Sequence, residues 1–231
     1  MRIGGLRKTS LIDYPGKVAC VVFLSGCNFR CPYCHNPAMA RGDAGAAVSS
    51  EAFFELLADR AGFLDGVVVS GGEPTLQADL PVLCARIKAM GYPVKLDTNG
   101  SRPEVLADLI RRGLVDYVAM DVKTDPRGYA PLIHPDPDPR DLLSSIRTIM
   151  DAGLPYEFRT TCVKPLVDPE ILETICRLIH GADLYVLQQC REEEVLDPGF
   201  FQNGPNRRFS DEALSDLRKA CALWVRCCEV R

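Results

Sequence analysis

Residues 66–73 read Gly66-Val-Val-Val-Ser70-Gly71-Gly72-Glu73, and this stretch decides the fold. The three consecutive valines predict a strand that is buried on both faces, as the strands of parallel sheets are. The two glycines predict a tight turn, and residues 78–90 then show the apolar spacing of a helix. A strand, a turn and a helix in succession make one βα unit.

Further βα units lie on both sides of this one. Strands are also predicted at residues 18–24, 93–97, 116–122, 156–163 and 184–188, with helices at 50–59, 103–112, 140–152 and 169–179. This alternation predicts an α/β protein with a parallel sheet wound right-handedly. Six units are too few for a closed eight-fold barrel, so we expect an open partial TIM-like (β/α)6 barrel. We predict a single domain over residues 1–231, with a core at about 18–190 and a C-terminal helical tail at about 205–231.

Composition and charge exclude several classes of function. The 231 residues carry a net charge of −4, which gives no basic field for nucleic acid. The N-terminal residues lack the apolar run of a signal peptide, and no uncharged stretch is long enough to span a bilayer. We therefore expect a cytoplasmic protein with no nucleic-acid or membrane partner. In a reducing cytosol, the eleven cysteines indicate metal ligands where they cluster and core residues where they are scattered.

A cysteine-rich loop follows the predicted strand 18–24, and Cys27, Cys31 and Cys34 lie in it within eight residues. A structural zinc site needs a fourth ligand, which His35 is poorly placed to supply because it is adjacent to Cys34. An iron–sulfur cubane that only carries electrons takes four thiolates, so three thiolates leave one iron open for a substrate. A four-iron cluster therefore fits best, and a non-catalytic iron–sulfur or zinc module is the alternative.

The Cys-x3-Cys-x2-Cys spacing, with Tyr33 before the last cysteine, resembles the signature of radical S-adenosylmethionine (SAM) enzymes. The resemblance implies a [4Fe–4S] cluster on Cys27, Cys31 and Cys34, which would be metal ligands and catalytic residues at once. It also implies that the open iron binds SAM, and that an electron from the reduced cluster releases a 5′-deoxyadenosyl radical. The partial barrel is then expected to be of the radical SAM type.

Three further motifs follow consecutive predicted strands: Gly71-Gly72-Glu73, Asp97-Thr98-Asn99 and Asp121-Val122-Lys123. Functional groups collect at the carboxyl ends of parallel strands, although an aspartate and a lysine at neighbouring strand ends could simply form an ion pair. Beside the cysteine loop, the motifs resemble those of glycyl-radical-enzyme activases. The resemblance implies that SAM is bound by Tyr33, Gly71, Gly72, Glu73, Asp97, Asn99, Asp121 and Lys123. It also implies a monovalent-cation site at Asp97 and Thr98.

The stretches 8–17 and 34–37 narrow the resemblance to the activating proteins of anaerobic ribonucleoside-triphosphate reductases. The implied partner is a glycyl radical enzyme, from which the radical abstracts a glycine hydrogen, and we expect flavodoxin or ferredoxin as reductant. The alternative within radical chemistry is an enzyme for a small molecule, similar to 7-carboxy-7-deazaguanine synthases. The chain departs from the activase pattern at Gln188-Gln189-Cys190, where a histidine or aromatic residue is usual.

The remaining cysteines are predicted to lie in the core or near the site, and the role of one arginine is left open. Helical or strand spacing predicts that four cysteines are core residues: Cys20, Cys84, Cys176 and Cys221. Cys162 and Cys190 are predicted near strand ends, close to the chemistry, whereas the roles of Cys190, Cys227 and Cys228 are left open. Arg159, within a predicted strand, could reach the SAM carboxylate or form a structural ion pair.

Overall fold

A computed structural model describes residues 1–43, 48–130, 132–134, 138–202 and 205–231. The strands are β1 Ile3–Ser10, β2 Ala19–Leu24, β3 Gly66–Gly71, β4 Val94–Thr98, β5 Tyr117–Asp121, β6 Tyr156–Cys162, β7 Tyr185–Gln189 and β8 Cys228–Val230. The α-helices are α1 Pro37–Arg41, α2 Ser50–Asp59, α3 Leu80–Ala89, α4 Pro103–Arg111, α5 Pro139–Met150, α6 Pro169–Leu178, α7 Pro198–Gln202 and α8 Asp211–Cys221. Within the described ranges, no helix combines the length and the apolar composition that crossing a membrane requires.

The eight strands belong to one sheet, in which their order is their order in the chain. Strand β1 pairs with β2 antiparallel, whereas β2, β3 and β4 pair in parallel, as do β6, β7 and β8. The predicted α/β class with a mostly parallel sheet is therefore confirmed, and the six predicted strands correspond to β2–β7. The prediction missed β1, whose Gly-Gly-Leu-Arg-Lys sequence lacks an apolar run, and β8, which has three residues.

The first of two compact units comprises residues 1–28, 38–98 and 104–118. Its centre is the register of β2 against β3, where Val21 pairs with Val68 and Val22 with Val69, all four fully buried. Helix α2 begins after Ser49, whose hydroxyl accepts from the Ala52 N–H at 3.1 Å, as N-cap residues do. Strand β3 ends at the glycine turn and β4 ends at Thr98, so the unit carries the glycine motif and, of the β4 motif, Asp97 and Thr98.

The second unit comprises residues 29–37, 99–103 and 119–231. Strands β6, β7 and β8 pair in parallel within it, and α6 packs against α8. The predicted tail contains α8, which buries Leu214, Leu217 and Cys221, and the burial of Cys221 was predicted. The tail also contains β8, because the chain after α8 returns to the sheet beside β7.

Candidate functional site

The cysteine loop begins directly after β2 and is held by backbone hydrogen bonds. Cys31 is buried, and Cys34 is partly exposed. The Cys34 N–H donates to the Cys31 carbonyl at 3.0 Å, while the carbonyls of Pro32 and Cys34 accept from the N–H groups of Asp197 and Leu196, both at 3.0 Å. The segment 196–197 therefore fixes the backbone that carries the last two cysteines.

Burial and the neighbouring Lys123 have opposite effects on the pKa of Cys31. Burial raises the pKa of this thiol to about 11, although the Lys123 ammonium acts in the opposite direction. Burial alone would lower the pKa of Lys123, but the carboxylate of Asp121 and the thiols of Cys31 and Cys34 raise it. A lysine in this position favours the thiolate forms that bind metal.

Asp121 stands between two cations at the end of β5. Its Oδ2 accepts from Lys123 Nζ at 2.8 Å, and its Oδ1 accepts from Arg159 Nε at 2.8 Å. Burial would raise the pKa of Asp121, but Arg159 and Lys123 together lower it well below its usual range. Of the two interpretations of Arg159, the ion pair is present in the structure. The carboxylate therefore stays ionised and orients both cations.

The network continues from Arg159 towards the last strand. Glu157, almost fully buried, lies 3.8 Å from Arg159 and accepts from Arg231 Nη1 at 3.0 Å. Lys123, Asp121, Arg159, Glu157 and Arg231 thus form a row of alternating charges, three positive and two negative. Lys123, at one end of this row, lowers the pKa of Cys31, whereas its neighbour Asp121 raises it.

Tyr33 places a buried hydroxyl beside these charges. Its Oη has no hydrogen-bond partner among the described residues, and burial raises its pKa well above the usual value. The groups that act on it include Cys31, Tyr129, Asp121 and Cys190. A buried hydroxyl without a partner is costly, so the Tyr33 hydroxyl is suited to bind a polar group of a ligand.

The glycine turn after β3 packs against the end of β2. A Cβ atom on Gly72 would lie 2.1 Å from the Gly26 carbonyl oxygen, and one on Gly71 would lie 2.3 Å from the backbone of Leu24. Side chains are therefore excluded at both positions by the protein itself. The N–H groups of Gly72 and Glu73 donate to the Leu24 and Gly26 carbonyls, both at 2.8 Å, so the turn fixes the backbone just before Cys27.

Glu73 is fully buried, and two hydroxyls hold its carboxylate. Its Oε1 accepts from Thr75 Oγ1 at 2.5 Å, from the Thr75 N–H at 3.0 Å and from Thr98 Oγ1 at 2.8 Å. Thr98 ends β4, so this carboxylate joins the motif after β3 to the motif at the end of β4. The side chain is fixed before any ligand arrives.

The end of β4 contains an ion pair within one strand. Lys95, 1% exposed, donates from Nζ to Asp97 Oδ1 at 2.5 Å. Asn99 and Ser101 belong to the second unit, and within it Asn99 Oδ1 accepts from the Ser101 N–H at 3.0 Å. Gly100 leaves room for Met120, since a Cβ atom there would lie 2.1 Å from Met120 Cε.

The other cysteines largely follow the prediction. The four predicted core residues, Cys20, Cys84, Cys176 and Cys221, are buried. Cys162 and Cys190 are buried at strand ends, and Cys190 lies close enough to Tyr33 to raise its pKa. Cys227 is exposed and Cys228 is buried, so the two neighbours do not share one environment.

Comparison with known proteins identifies the family. The sequence model described as the radical SAM superfamily matches residues 21–178. The chain belongs to this superfamily. A Methanocaldococcus jannaschii protein, named as a candidate glycyl-radical enzyme activating enzyme, is 39% identical over 203 residues, which are 86% of this chain and 83% of that protein. A pyruvate formate-lyase-activating enzyme of Streptococcus mutans is 33% identical over 203 residues, which are 80% of this chain and 72% of that enzyme.

Two solved structures share the fold of this chain. Streptococcus suis SuiB bound to its precursor peptide SuiA has a TM-score of 0.68 and 13% identity, covering 91% of this chain and 48% of the SuiB chain. Spore photoproduct lyase has a TM-score of 0.64 and 14% identity, covering 94% of this chain and 77% of that chain. The present chain thus corresponds to about half of the SuiB chain. At these identities the likeness shows the fold, as predicted.

The cofactors of the superfamily are a [4Fe–4S] cluster and SAM, and the residues fit both. The loop supplies three thiols, and the Lys123 charge offsets the thiolates of Cys31 and Cys34. No three histidine, cysteine, aspartate or glutamate side chains of the described ranges converge on a single metal ion. A cubane is larger than one ion and holds its thiolates farther apart. The unsatisfied Tyr33 hydroxyl and the cations beside Asp121 suit a ligand with polar groups and a carboxylate.

Lys95 and Tyr129 are among the groups that contact predicted site residues and that sequence reasoning missed. Lys95 was read as part of a strand, although a lysine two residues before an aspartate shares its face of the strand and predicts the pair. Tyr129 lies in a loop, and its hydroxyl accepts from the Lys123 N–H at 2.8 Å. No local pattern marks that contact, because it depends on how the loop after β5 folds back.

Proposed function

We propose that this chain is a glycyl-radical-enzyme activating enzyme whose partner is a glycyl radical enzyme of the anaerobic ribonucleotide reductase type. One observation carries the proposal. The three-cysteine signature lies inside the radical SAM match, and two relatives named for glycyl-radical or pyruvate formate-lyase activation align with at least 80% of the chain.

In this proposal Cys27, Cys31 and Cys34 hold the [4Fe–4S] cluster and leave one iron for SAM. When bound, the cluster would supply the one-electron reduction that cleaves SAM, which is the chemistry that hydrogen abstraction from a glycine of the partner requires. Cys31 must lose its proton to bind iron, and burial opposes this. Lys123 assists that deprotonation, because its charge stabilises the thiolate.

The groups around the loop position SAM. Lys123 and Arg159, oriented by Asp121, provide positive charge for the SAM carboxylate. Glu73, held by its hydrogen bonds to Thr75 and Thr98, accepts from the SAM amino group. The Tyr33 hydroxyl gains the partner it lacks. The other residues assigned to the site by resemblance are Gly71, Gly72, Asp97 and Asn99. Flavodoxin or ferredoxin is proposed as the electron donor.

The test is anaerobic reconstitution of the full-length protein, followed by dithionite and SAM, with 5′-deoxyadenosine measured by chromatography. A candidate glycyl radical enzyme is added in a parallel reaction, and its electron paramagnetic resonance spectrum is recorded. We expect deoxyadenosine together with a glycyl-radical doublet. Cys31→Ala should abolish cluster binding and SAM cleavage. Cys176→Ala, a buried cysteine of α6 outside the loop, is the matched control and should retain both.

Each outcome separates one part of the proposal from another. Deoxyadenosine without a doublet in any glycyl radical enzyme would reject the partner and move the search to small molecules. No cleavage from a verified four-iron cluster would reject the SAM chemistry of this chain. Cleavage retained by Cys31→Ala would reject the ligand assignment.

A further inference from the structure

Lys95 occupies an unusual place for a lysine, in the middle of a buried strand. It lies between Val94 and Leu96, which are fully buried, and is itself 1% exposed. Lysine is almost never buried completely unless it is paired with an anion. The partner here is Asp97, which is 15% exposed and accepts from Lys95 Nζ at 2.5 Å.

Lys95 Nζ lies beside two groups that attract a positive charge. The carboxylate of Asp97 lies on one side, and the ring of Tyr117 lies 5.7 Å away, measured to its centroid. A ring face attracts a cation through its quadrupole. Residues 95 and 97 point to the same face of the strand, so the pair forms without rearrangement of the backbone.

The two side chains that resemble a monovalent-cation site are both engaged by other groups of the protein. Asp97 receives the ammonium of Lys95, and the hydroxyl of Thr98 donates to Glu73 at 2.8 Å. A K⁺ ion on the same carboxylate would meet the Lys95 ammonium, which is already bound to Asp97 Oδ1 in a poorly solvated site. That arrangement is unfavourable, because buried charges need matched partners.

We propose that the Lys95 ammonium is a built-in counter-cation of Asp97 and takes the place of a bound monovalent cation at the end of β4. An ammonium group and K⁺ carry the same charge, have similar size and prefer oxygen ligands. Lys95 is thus a positioning residue that acts through Asp97. Its meaning for SAM binding rests on the proposed function, but the ion pair itself belongs to the described fold.

The test compares thermal unfolding of the reconstituted full-length protein in KCl, NaCl and choline chloride at equal ionic strength. Choline is too large to enter a cation site. For the wild type we expect the same midpoint in all three salts. Lys95→Met removes the ammonium group from the Asp97 carboxylate, so the midpoint of this variant in choline chloride should fall by about 10 °C. KCl should then restore roughly 3–6 °C when K⁺ is about tenfold above its dissociation constant.

Two variants serve as controls. Lys88→Met removes a half-exposed lysine that pairs with Asp116 at 2.5 Å, and its smaller loss should be equal in the three salts. The double variant Lys95→Met, Asp97→Asn removes both charges and should show no preference for K⁺. A lysine that merely fills space would give Lys95→Met the same loss in every salt.

The proposal is overturned if K⁺ or Na⁺ stabilises the wild type over choline by several degrees, or if Lys95→Met shows no preference for K⁺. If Lys95→Met does not fold in choline chloride, refolding from urea into KCl replaces the melting experiment, and failure in both salts counts against the proposal. None of these measurements requires SAM cleavage. Failure of the activase proposal and failure of this inference are therefore distinguishable.

Discussion

Asp121 is the residue whose removal tests the charged network most directly. Asp121→Asn keeps the shape of the side chain but removes the negative charge that lies between Lys123 and Arg159. Removing one partner of a buried ion pair costs about 3–5 kcal/mol. The Asp121 side chain is 24% exposed, so the lower end of that range, about 3 kcal/mol, applies.

For a chain of this length, about 3 kcal/mol lowers the melting midpoint by roughly 6–12 °C. Asp108→Asn is the matched control, since Asp108 also pairs with two cations, Arg111 and Arg112, on the exposed face of α4. Surface pairs contribute about 0–1 kcal/mol, so this variant should lose less than about 4 °C. The assay is anaerobic thermal unfolding of both variants beside the wild type.

The same pair of variants gives a pH test. The pKa of Asp121 is lowered in the folded state, so its contribution to stability is complete above its unfolded pKa, near 4. That contribution is lost only as pH falls through the much lower folded value. The difference between wild type and Asp121→Asn should therefore be equal at pH 7 and pH 5. A loss no larger than that of Asp108→Asn, or SAM affinity unchanged in Asp121→Asn with an intact cluster, would refute the reasoning.

Three shorter predictions concern the cysteine loop and its neighbours. In the cluster-free protein at pH 8, Cys31 should react with iodoacetamide about 100-fold more slowly than an ordinary thiol, since its pKa is about 11 rather than 9; mass spectrometry of the native and the urea-unfolded chain measures this. Gly72→Ala should lose about 1–3 kcal/mol of unfolding free energy in urea, because its Cβ would meet the Gly26 carbonyl. The control Gly5→Ala should lose less, because the nearest neighbour of its Cβ would lie at 3.6 Å. Tyr33→Phe should be as stable as the wild type or up to about 1 kcal/mol more stable without SAM, yet bind SAM more weakly in calorimetry.

The fold could be predicted largely from sequence because apolar runs such as those of β2 and β3 alternate with helices, several of which have clear caps. Helix α6, for example, begins after Asp168, whose carboxylate accepts from the Ile171 N–H at 2.8 Å, with Pro169 in its first turn. Edge strands give weaker signals. Strand β1 alternates exposed and buried residues only in part, and β8 is too short for any period to be visible.

The site divides in the same way between local and distant contacts. The cysteine spacing and the glycine turn are local, so sequence reasoning reached them. The charged groups around the cysteines are brought together by distant contacts. One example is the ion pair of Asp121 and Arg159, which lie 38 residues apart in the chain. Their pairing depends on which strands become neighbours, and a single sequence does not determine the side-chain distances that result.

The two lysine–aspartate pairs show how residue order sets the charge at a strand end. In β4 the lysine comes first, so Lys95 is enclosed and the neutralised carboxylate of Asp97 lies nearer the end of the strand. After β5 the order is reversed, and Lys123 lies beyond Asp121, where its charge acts on the thiols of Cys31 and Cys34. A nearby cation favours the thiolate form of a cysteine, whereas an aspartate that is paired with an internal ammonium has less need of an external ion. With the same spacing of two residues, the lysine of β4 neutralises an aspartate inside the strand, whereas the lysine after β5 directs its charge to the cysteine thiols.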